Sequence, residues 1–157
     1  MLLNSSEGVE VGTEIIWKNS SSQNVPVVFV VNKLDHENSD YDKCLESLKN
    51  KFGGDAIVTQ FPVNPKNGFD SIIDIVKMKL VKYEGNSSGK CVESDIPADL
   101  TAKANKLREE LVEKVAESDE TLMNNFFENG GLTDEEFVKG LTIGLISRKL
   151  FPIMCAS

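Results

Sequence analysis

The sequence predicts an α/β fold built on a parallel β-sheet, and three features of the chain indicate it. Residues 27–31 form an unbroken run of β-branched and aromatic residues behind Pro26, as expected of a strand buried on both faces of a parallel sheet. Strand and helix patterns alternate through the first part of the chain. Of the 157 residues, 40% are hydrophobic and 27% are charged, which is a globular composition. Ligands of such a fold bind at the carboxyl ends of its strands.

The amino-terminal elements are predicted from periodicity and from helix-ending residues. In chain order they are a strand at 1–4, a helix at 8–19, a strand at 27–31, a helix ending near 52 and a strand at 56–61. The first helix is expected to turn Val11, Ile15 and Ile16 inward. Ser39 is expected to cap the second helix, which ends at two consecutive glycines, Gly53 and Gly54.

The later elements are predicted to be an extended segment followed by three helices. A turn at 64–68 leads to a strand or hairpin at 71–83, a flexible connection at 85–89 and a short strand near 91–93. The predicted helices lie at 98–117, 120–128 and 134–148, the last behind a Thr-x-x-Glu capping box, and a strand at 151–155 follows.

Several single residues in these elements are expected to serve packing. Gly140 and Gly144 lie within a helical pattern, where each costs about 1 kcal/mol relative to alanine, and we attribute both to close helix packing. Trp17 and the pair Phe126 and Phe127 are expected to be core anchors, because no basic groove for stacking bases surrounds them.

The strand at 27–31 runs directly into Asn-Lys-Leu-Asp at 32–35, and this tetrad predicts recognition of guanine. Guanine presents a ring N–H beside an exocyclic amino group, so one carboxylate can accept both hydrogen bonds, and Asp35 is the candidate. Asn32 can bond a base edge and connect neighbouring loops. The aliphatic stem of Lys33 can lie along the purine face. The alternative is an ordinary polar turn after a strand.

Charge and cysteine content exclude several classes of function. A net charge of −8 argues against an extended nucleic-acid surface and suits a basic protein partner. Cys44, Cys91 and Cys155 are widely spaced and are expected to be free thiols in a reducing cytosol. No signal peptide or membrane-length apolar run is found. His36, beside Asp35, is interpreted as a surface histidine, and no metal site is predicted.

The chain is expected to be part of a larger protein. A strand begins at its first residue and another ends just before its last two, so the predicted sheet is incomplete at both ends. The sequence contains no Gly-x-x-x-x-Gly-Lys-Ser/Thr loop to bind phosphates and no Asp-x-x-Gly to face magnesium. We therefore assign no catalytic residue.

Four segments of the sequence resemble bacterial elongation factor G, the ribosomal translocase. They are Gly-Val-Glu-Val-Gly-Thr-Glu-Ile-Ile-Trp at 8–17, the strand and tetrad at 27–35, residues 69–83 with Ile-Ile-Asp and Lys-Met-Lys, and Phe-Pro-Ile-Met-Cys-Ala-Ser at 151–157. The resemblance covers essentially the whole chain in the family's order. It implies a partial P-loop-GTPase-like parallel sheet that carries an inserted α+β subdomain, the G-prime subdomain.

The resemblance also implies domain limits and site residues. Residues 1–52 would be the second half of the GTP-binding domain, 53–150 the inserted subdomain, and 151–157 the returning strand. Guanine recognition carries over to Asn32, Lys33 and Asp35, and a Ser-Ala guanine loop would begin at Ser157. GTP or GDP and magnesium would bind the full-length protein in the cytoplasm, with no membrane or direct DNA contact. This part alone is expected to be inactive.

The helix predicted at 98–117 carries an acidic face opposite an apolar stripe. The stripe consists of Leu100, Ala104, Leu107, Leu111 and Val115. Opposite it, Glu109, Glu113 and Glu117 repeat at i,i+4, and each like-charge pair costs a few tenths of a kcal/mol. In the resembling family, acidic residues matching Glu113, Glu117 and Glu120 face the ribosomal stalk protein. The alternative is an ordinary solvated face on which nearby lysines reduce the repulsion between the glutamates.

Two classes of function remain open from the sequence. The chain is either the guanine-reading part of a translational GTPase that drives ribosomal translocation, or a module that binds the stalk without nucleotide. A paralogous translational GTPase, such as a ribosomal protection protein, is a further alternative.

Overall fold

A computed structural model describes residues 1–84 and 89–157 of the chain. The elements are β1 (Leu2–Asn4), α1 (Val11–Ser22), β2 (Phe29–Asn32), α2 (Tyr41–Phe52), β3 (Ala56–Val58), β4 (Gln60–Pro62), β5 (Ser71–Asp74), β6 (Lys79–Tyr83), β7 (Cys91–Ser94), α3 (Ala98–Ala116), α4 (Glu120–Asn129), α5 (Asp134–Ile146) and β8 (Phe151–Cys155). The flexible connection predicted at 85–89 lies largely outside the described residues. None of the described helices is long and apolar enough to cross a membrane.

The strands form two sheets, which confirms the predicted α/β class with an additional sheet. The first sheet is parallel and has the order β1-β2-β8-β3. The second is antiparallel, in the order β4-β5-β6-β7, with the predicted hairpin formed by β5 and β6. β2 lies between β1 and β8, so both of its edges are paired. One of its faces, with Phe29 and Val31, is fully buried, and the other is half-buried at Val30.

An aromatic cluster holds α1 and the end of α2 against the first sheet. The Trp17 ring stacks on Phe29 at a centroid distance of 5.7 Å and packs against Phe52 at 4.6 Å and Phe151 at 4.7 Å. Phe29 and Phe52 stack on each other at 5.2 Å. Trp17 is therefore a core anchor, as predicted.

The predicted inward face of α1 is wrong. Val11, Ile15 and Ile16 are 75%, 57% and 56% exposed. The helix instead turns Thr13 and Trp17, four residues apart, toward the sheet, because the large indole ring makes the contacts with the aromatic cluster. The helix therefore contacts the sheet through one large aromatic side chain rather than through the predicted apolar face.

The strand predicted at 56–61 is two strands in different sheets. Thr59 separates them, and its backbone N–H and Oγ both donate to the Ile153 carbonyl, at 3.1 and 2.8 Å. Its own carbonyl accepts from the backbone N–H of Ile75 at 2.9 Å. β3 consequently pairs with β8 in the first sheet, and β4 begins the second sheet. β3 therefore belongs to the parallel sheet although it follows residue 52, the limit that the resemblance implies for the first part of the GTP-binding domain.

Two further expectations for single residues are wrong. Asp40, not Ser39, caps α2: its Oδ1 accepts from the backbone N–H of Lys43 at 3.0 Å, whereas the buried Ser39 Oγ has no hydrogen-bond partner within the described ranges. The carboxylate lies one residue nearer to the free N–H groups of the first turn. Phe127 is 74% exposed rather than a core anchor, since α4 turns Leu122 inward instead.

Helices α3, α4 and α5 pack closely at Gly140, as predicted, whereas Gly144 packs against Leu150 in the segment before β8 rather than against another helix. A Cβ on Gly140 would lie 2.6 Å from both Val115 Cγ1 and Leu122 Cδ1, and one on Gly144 would lie 2.7 Å from Leu150 Cγ. Each distance is far inside van der Waals contact. The predicted capping box of Thr133 and Glu136 is also present at the start of α5.

We predict that Gly140→Ala lowers the free energy of unfolding by about 1–3 kcal/mol, because the added methyl group overpacks the contact with α3 and α4. Gly12→Ala is the matched control, since a Cβ there meets no atom within 4 Å; alanine's helix propensity should raise stability by up to about 1 kcal/mol. Urea denaturation of both variants and of the wild type measures the change in the free energy of unfolding. Equal stabilisation by both substitutions would contradict the packing role of Gly140.

The three cysteines are free thiols with different accessibility. Burial raises the pKa of the Cys44 thiol to about 11 and that of Cys155 to about 12, whereas Cys91 is exposed on β7. Iodoacetamide at pH 8 reacts with thiolates, so we predict that Cys91 is alkylated first and that the other two react fully only after unfolding. Peptide mass spectrometry over time measures the order. Early modification of Cys155 would contradict it.

Candidate functional site

The predicted guanine-reading residues lie together at one edge of the first sheet. Asn32 is the last residue of β2, and the parallel register pairs Asn4 with Asn32 and Val31 with Cys155. The carboxyl ends of β1, β2 and β8 therefore meet at this edge, as the parallel arrangement requires. The loop at 32–35 and Ser157 follow β2 and β8 directly. The structure thus brings the two predicted segments to the same edge.

Backbone hydrogen bonds from both neighbouring strands hold the loop. After β1, the backbone N–H of Ser5 donates to the Asn32 carbonyl at 3.0 Å, and Ser5 Oγ donates to the Lys33 carbonyl at 2.9 Å. After β8, the N–H of Ala156 donates to the Val31 carbonyl at 2.9 Å, and its carbonyl accepts from Leu34 at 3.3 Å. The loop conformation therefore depends on both neighbours.

The loop is shaped so that its polar side chains face outward. Lys33 adopts a left-handed conformation with φ of 61°, and its carbonyl accepts from the His36 N–H at 3.1 Å. Leu34 is fully buried beneath the turn and anchors it. Lys33 and Asp35 are exposed, and Asn32 is half-buried.

The Asp35 carboxylate is available for a ligand. Within residues 1–84 and 89–157, no hydrogen bond or ion pair to its side chain is found. A carboxylate at the sheet edge with both oxygens open can accept two parallel N–H bonds, which is the donor pair that guanine presents. The adjacent His36 is exposed, and its Nδ1 accepts from the Asn38 N–H at 3.3 Å.

Sequence reasoning missed three residues that shape this site. Ser5 is buried and bonds the loop through its hydroxyl, Ala156 bonds it from β8, and the N–H of Lys66 donates to the Leu34 carbonyl at 2.6 Å. Ser5 follows a predicted strand, so the rule that sites lie at carboxyl strand ends could have identified it. Lys66 gave no such signal, since its turn connects β4 and β5 within the second sheet.

The acidic residues predicted to dock a partner form a second exposed surface. Glu113 lies on α3, Glu117 is the residue after its last turn, and Glu120 begins α4; all three are exposed. Behind them, Ala104, Leu111 and Val115 are buried and Leu100 and Leu107 half-buried, so the apolar stripe faces inward. Lys114 Nζ pairs with Glu117 at 2.7 Å and with Asp55 at 3.8 Å.

Comparison with known proteins identifies the family of the chain. The family model of the elongation factor Tu GTP binding domain matches residues 1–157. A protein of Thermus thermophilus, solved by crystallography, superimposes with a TM-score of 0.88 and 28% sequence identity; the match covers 99% of this chain and 23% of that one. This chain thus spans about a quarter of the length of that protein. The chain belongs to the elongation factor Tu GTP-binding domain family of translational GTPases.

Proposed function

We propose that the chain is part of a ribosomal translocase of the elongation factor G type, which couples GTP hydrolysis to movement of the ribosome in the cytoplasm. The observation that carries this proposal is the Asn-Lys-Leu-Asp loop, framed from both neighbouring strands at the carboxyl edge of a parallel sheet. The family match and the resemblance of residues 8–17, 69–83 and 151–157 to the translocase support it.

In this proposal the loop selects guanine. Asp35 accepts the ring N–H and the exocyclic amino group, Lys33 covers the purine face with its aliphatic stem, and Asn32 connects the base to the neighbouring segment. Ser157 begins the loop whose backbone N–H groups meet the base oxygen. The open carboxylate of Asp35 and the left-handed turn at Lys33 suit these roles.

Nucleotide hydrolysis is assigned to the longer protein. The sequence of this chain has neither a phosphate loop nor an Asp-x-x-Gly, and within the described residues no cluster of three or more possible metal ligands is found. We therefore propose that GTP or GDP binds with magnesium in the full-length protein, and that residues 1–157 alone do not hydrolyse GTP. The charge-assisted phosphate contacts that dominate nucleotide affinity require residues outside this chain.

We further propose that residues 53–150 include the inserted subdomain and that Glu113, Glu117 and Glu120 dock the carboxyl-terminal domain of the ribosomal stalk protein. The exposed carboxylates on one surface and the net charge of −8 favour a basic partner. Neither a membrane nor direct DNA contact is part of this proposal. A stalk-binding module without nucleotide, and a paralogue such as a ribosomal protection protein, are the alternatives.

We predict that Asp35→Asn in the full-length protein lowers GDP affinity by about 100-fold, since an amide loses two charge-assisted hydrogen bonds. The same variant should gain affinity for xanthosine diphosphate, whose base carries an oxygen where guanine carries the amino group and accepts from an amide N–H. Fluorescent-nucleotide titration measures both affinities. His36→Gln, at the adjacent exposed position, is the control and should change neither. Unchanged GDP binding by Asp35→Asn would reject the guanine site.

We predict that reversing Glu113 and Glu117 to lysine weakens binding to the stalk domain, mainly through a slower association rate. The matched control reverses Glu37 and Glu46, which are also exposed, so that the net charge changes equally. Stopped-flow association at low salt compares the two double variants. Equal losses in both would indicate a general charge effect, and unchanged binding of the first would reject this docking surface.

A further inference from the structure

A groove lies beside the acidic surface, between the end of α2 and the middle of α3. Its volume is about 240 Å³, which is large enough for a single apolar side chain. Residues 56–58 of β3 form its floor, and Leu107 and Leu111 of α3 form one wall. Ala56, Ile57, Val58 and Leu111 are buried beneath it. The floor and one wall of the groove are therefore apolar.

The floor of the groove is the edge strand of the first sheet, whose residues are buried. β3 is the last strand of the first sheet and pairs with β8 alone among the described strands. The Asp55 carbonyl and the Thr59 N–H point toward β8, where they bond Phe151 and Ile153. Because backbone groups alternate in direction along a parallel strand, those of Val58 point away from β8, and Val58 lines the groove.

The rim of the groove carries charge of both signs. Glu110 and Glu113 stand on the α3 side, and no ion pair to either is found within residues 1–84 and 89–157. Lys114, on the same helix, is held by Glu117 and Asp55, so its charge is compensated. Lys49 stands across the groove on α2. The α3 rim therefore favours a basic partner, and it is continuous with the docking surface through Glu113.

We propose that this groove is the apolar anchor site of the docking surface and receives one apolar side chain of the stalk domain, while Glu113 pairs with a cationic side chain of that domain. This inference rests on the proposed stalk docking and adds to it. Interfaces concentrate their binding energy in a few apolar side chains seated in pockets, with charged residues around them. The charged rim sets the association rate, and the buried anchor sets the dissociation rate.

Filling the groove tests this proposal directly. Gly54 lines it, and a Cβ there would meet no atom within 4 Å, so Gly54→Leu places a large side chain at the lining of the groove without a clash at Cβ. Gly131→Leu is the control, because Gly131 is equally open and lies elsewhere. Circular dichroism and thermal unfolding check the fold of each variant. Should Gly54→Leu fail to fold, Lys49→Trp covers the groove from an exposed position on α2.

Biolayer interferometry with the immobilised stalk domain separates the outcomes. We expect Gly54→Leu to raise the dissociation rate by about tenfold or more and to leave the association rate nearly unchanged, with Gly131→Leu like the wild type. If a folded Gly54→Leu or Lys49→Trp variant dissociates from the stalk domain at the wild-type rate, the groove is not the anchor site, although the acidic docking surface would still be supported. Absence of binding by the wild-type protein would overturn both.

Discussion

The parallel pairing of β2 with β8 is the constraint on which the rest of the structure depends. It joins two segments that lie on either side of most of the chain, with Phe29 opposite Ile153 and Val31 opposite Cys155. Through it, Ala156 reaches the loop that follows β2, and β3 gains its only described partner strand. The segment between β3 and β8 is consequently an insertion whose two ends are neighbouring strands of the same sheet.

The aromatic cluster and Arg148 hold the segment that leads into β8. The Arg148 guanidinium lies over the Trp17 and Phe151 rings, at 5.0 and 5.3 Å from their centroids. It also donates to Ser21 Oγ at 2.7 Å and to the Val25 carbonyl. Cation–π contacts add to the hydrogen bonds, so this side chain ties the segment before β8 to α1 and to the approach to β2. The end of the segment between β3 and β8 is thereby attached to α1, which packs on the first sheet.

A second arginine joins the helices to the antiparallel sheet. Arg108, on α3, donates to the carbonyls of Ile75 and Val76 at 3.2 and 3.1 Å, and its guanidinium packs 3.9 Å from the centre of the Phe137 ring on α5. Burial lowers the pKa of Arg108, and the two carbonyls supply the partners that a desolvated cation requires. Arg108 therefore anchors α3 through the side that faces the sheet and α5. The acidic face of α3 and the adjacent groove lie on its other side and are exposed.

Local sequence determined much of this protein by itself. The apolar run at 27–31 and the capping box at Thr133 depend on neighbours a few residues away, so the strand and the helix start predicted from them are confirmed. Tertiary structure alone decided the rotation of α1, in which the indole ring of Trp17 faces the sheet and three aliphatic side chains do not. It also decided that the strand predicted at 56–61 divides at Thr59, and which residues frame the loop. Ser5 and Ala156 meet Lys33 and Leu34 only because three parallel strands end at one edge, and long-range pairing of that kind leaves little trace in local periodicity.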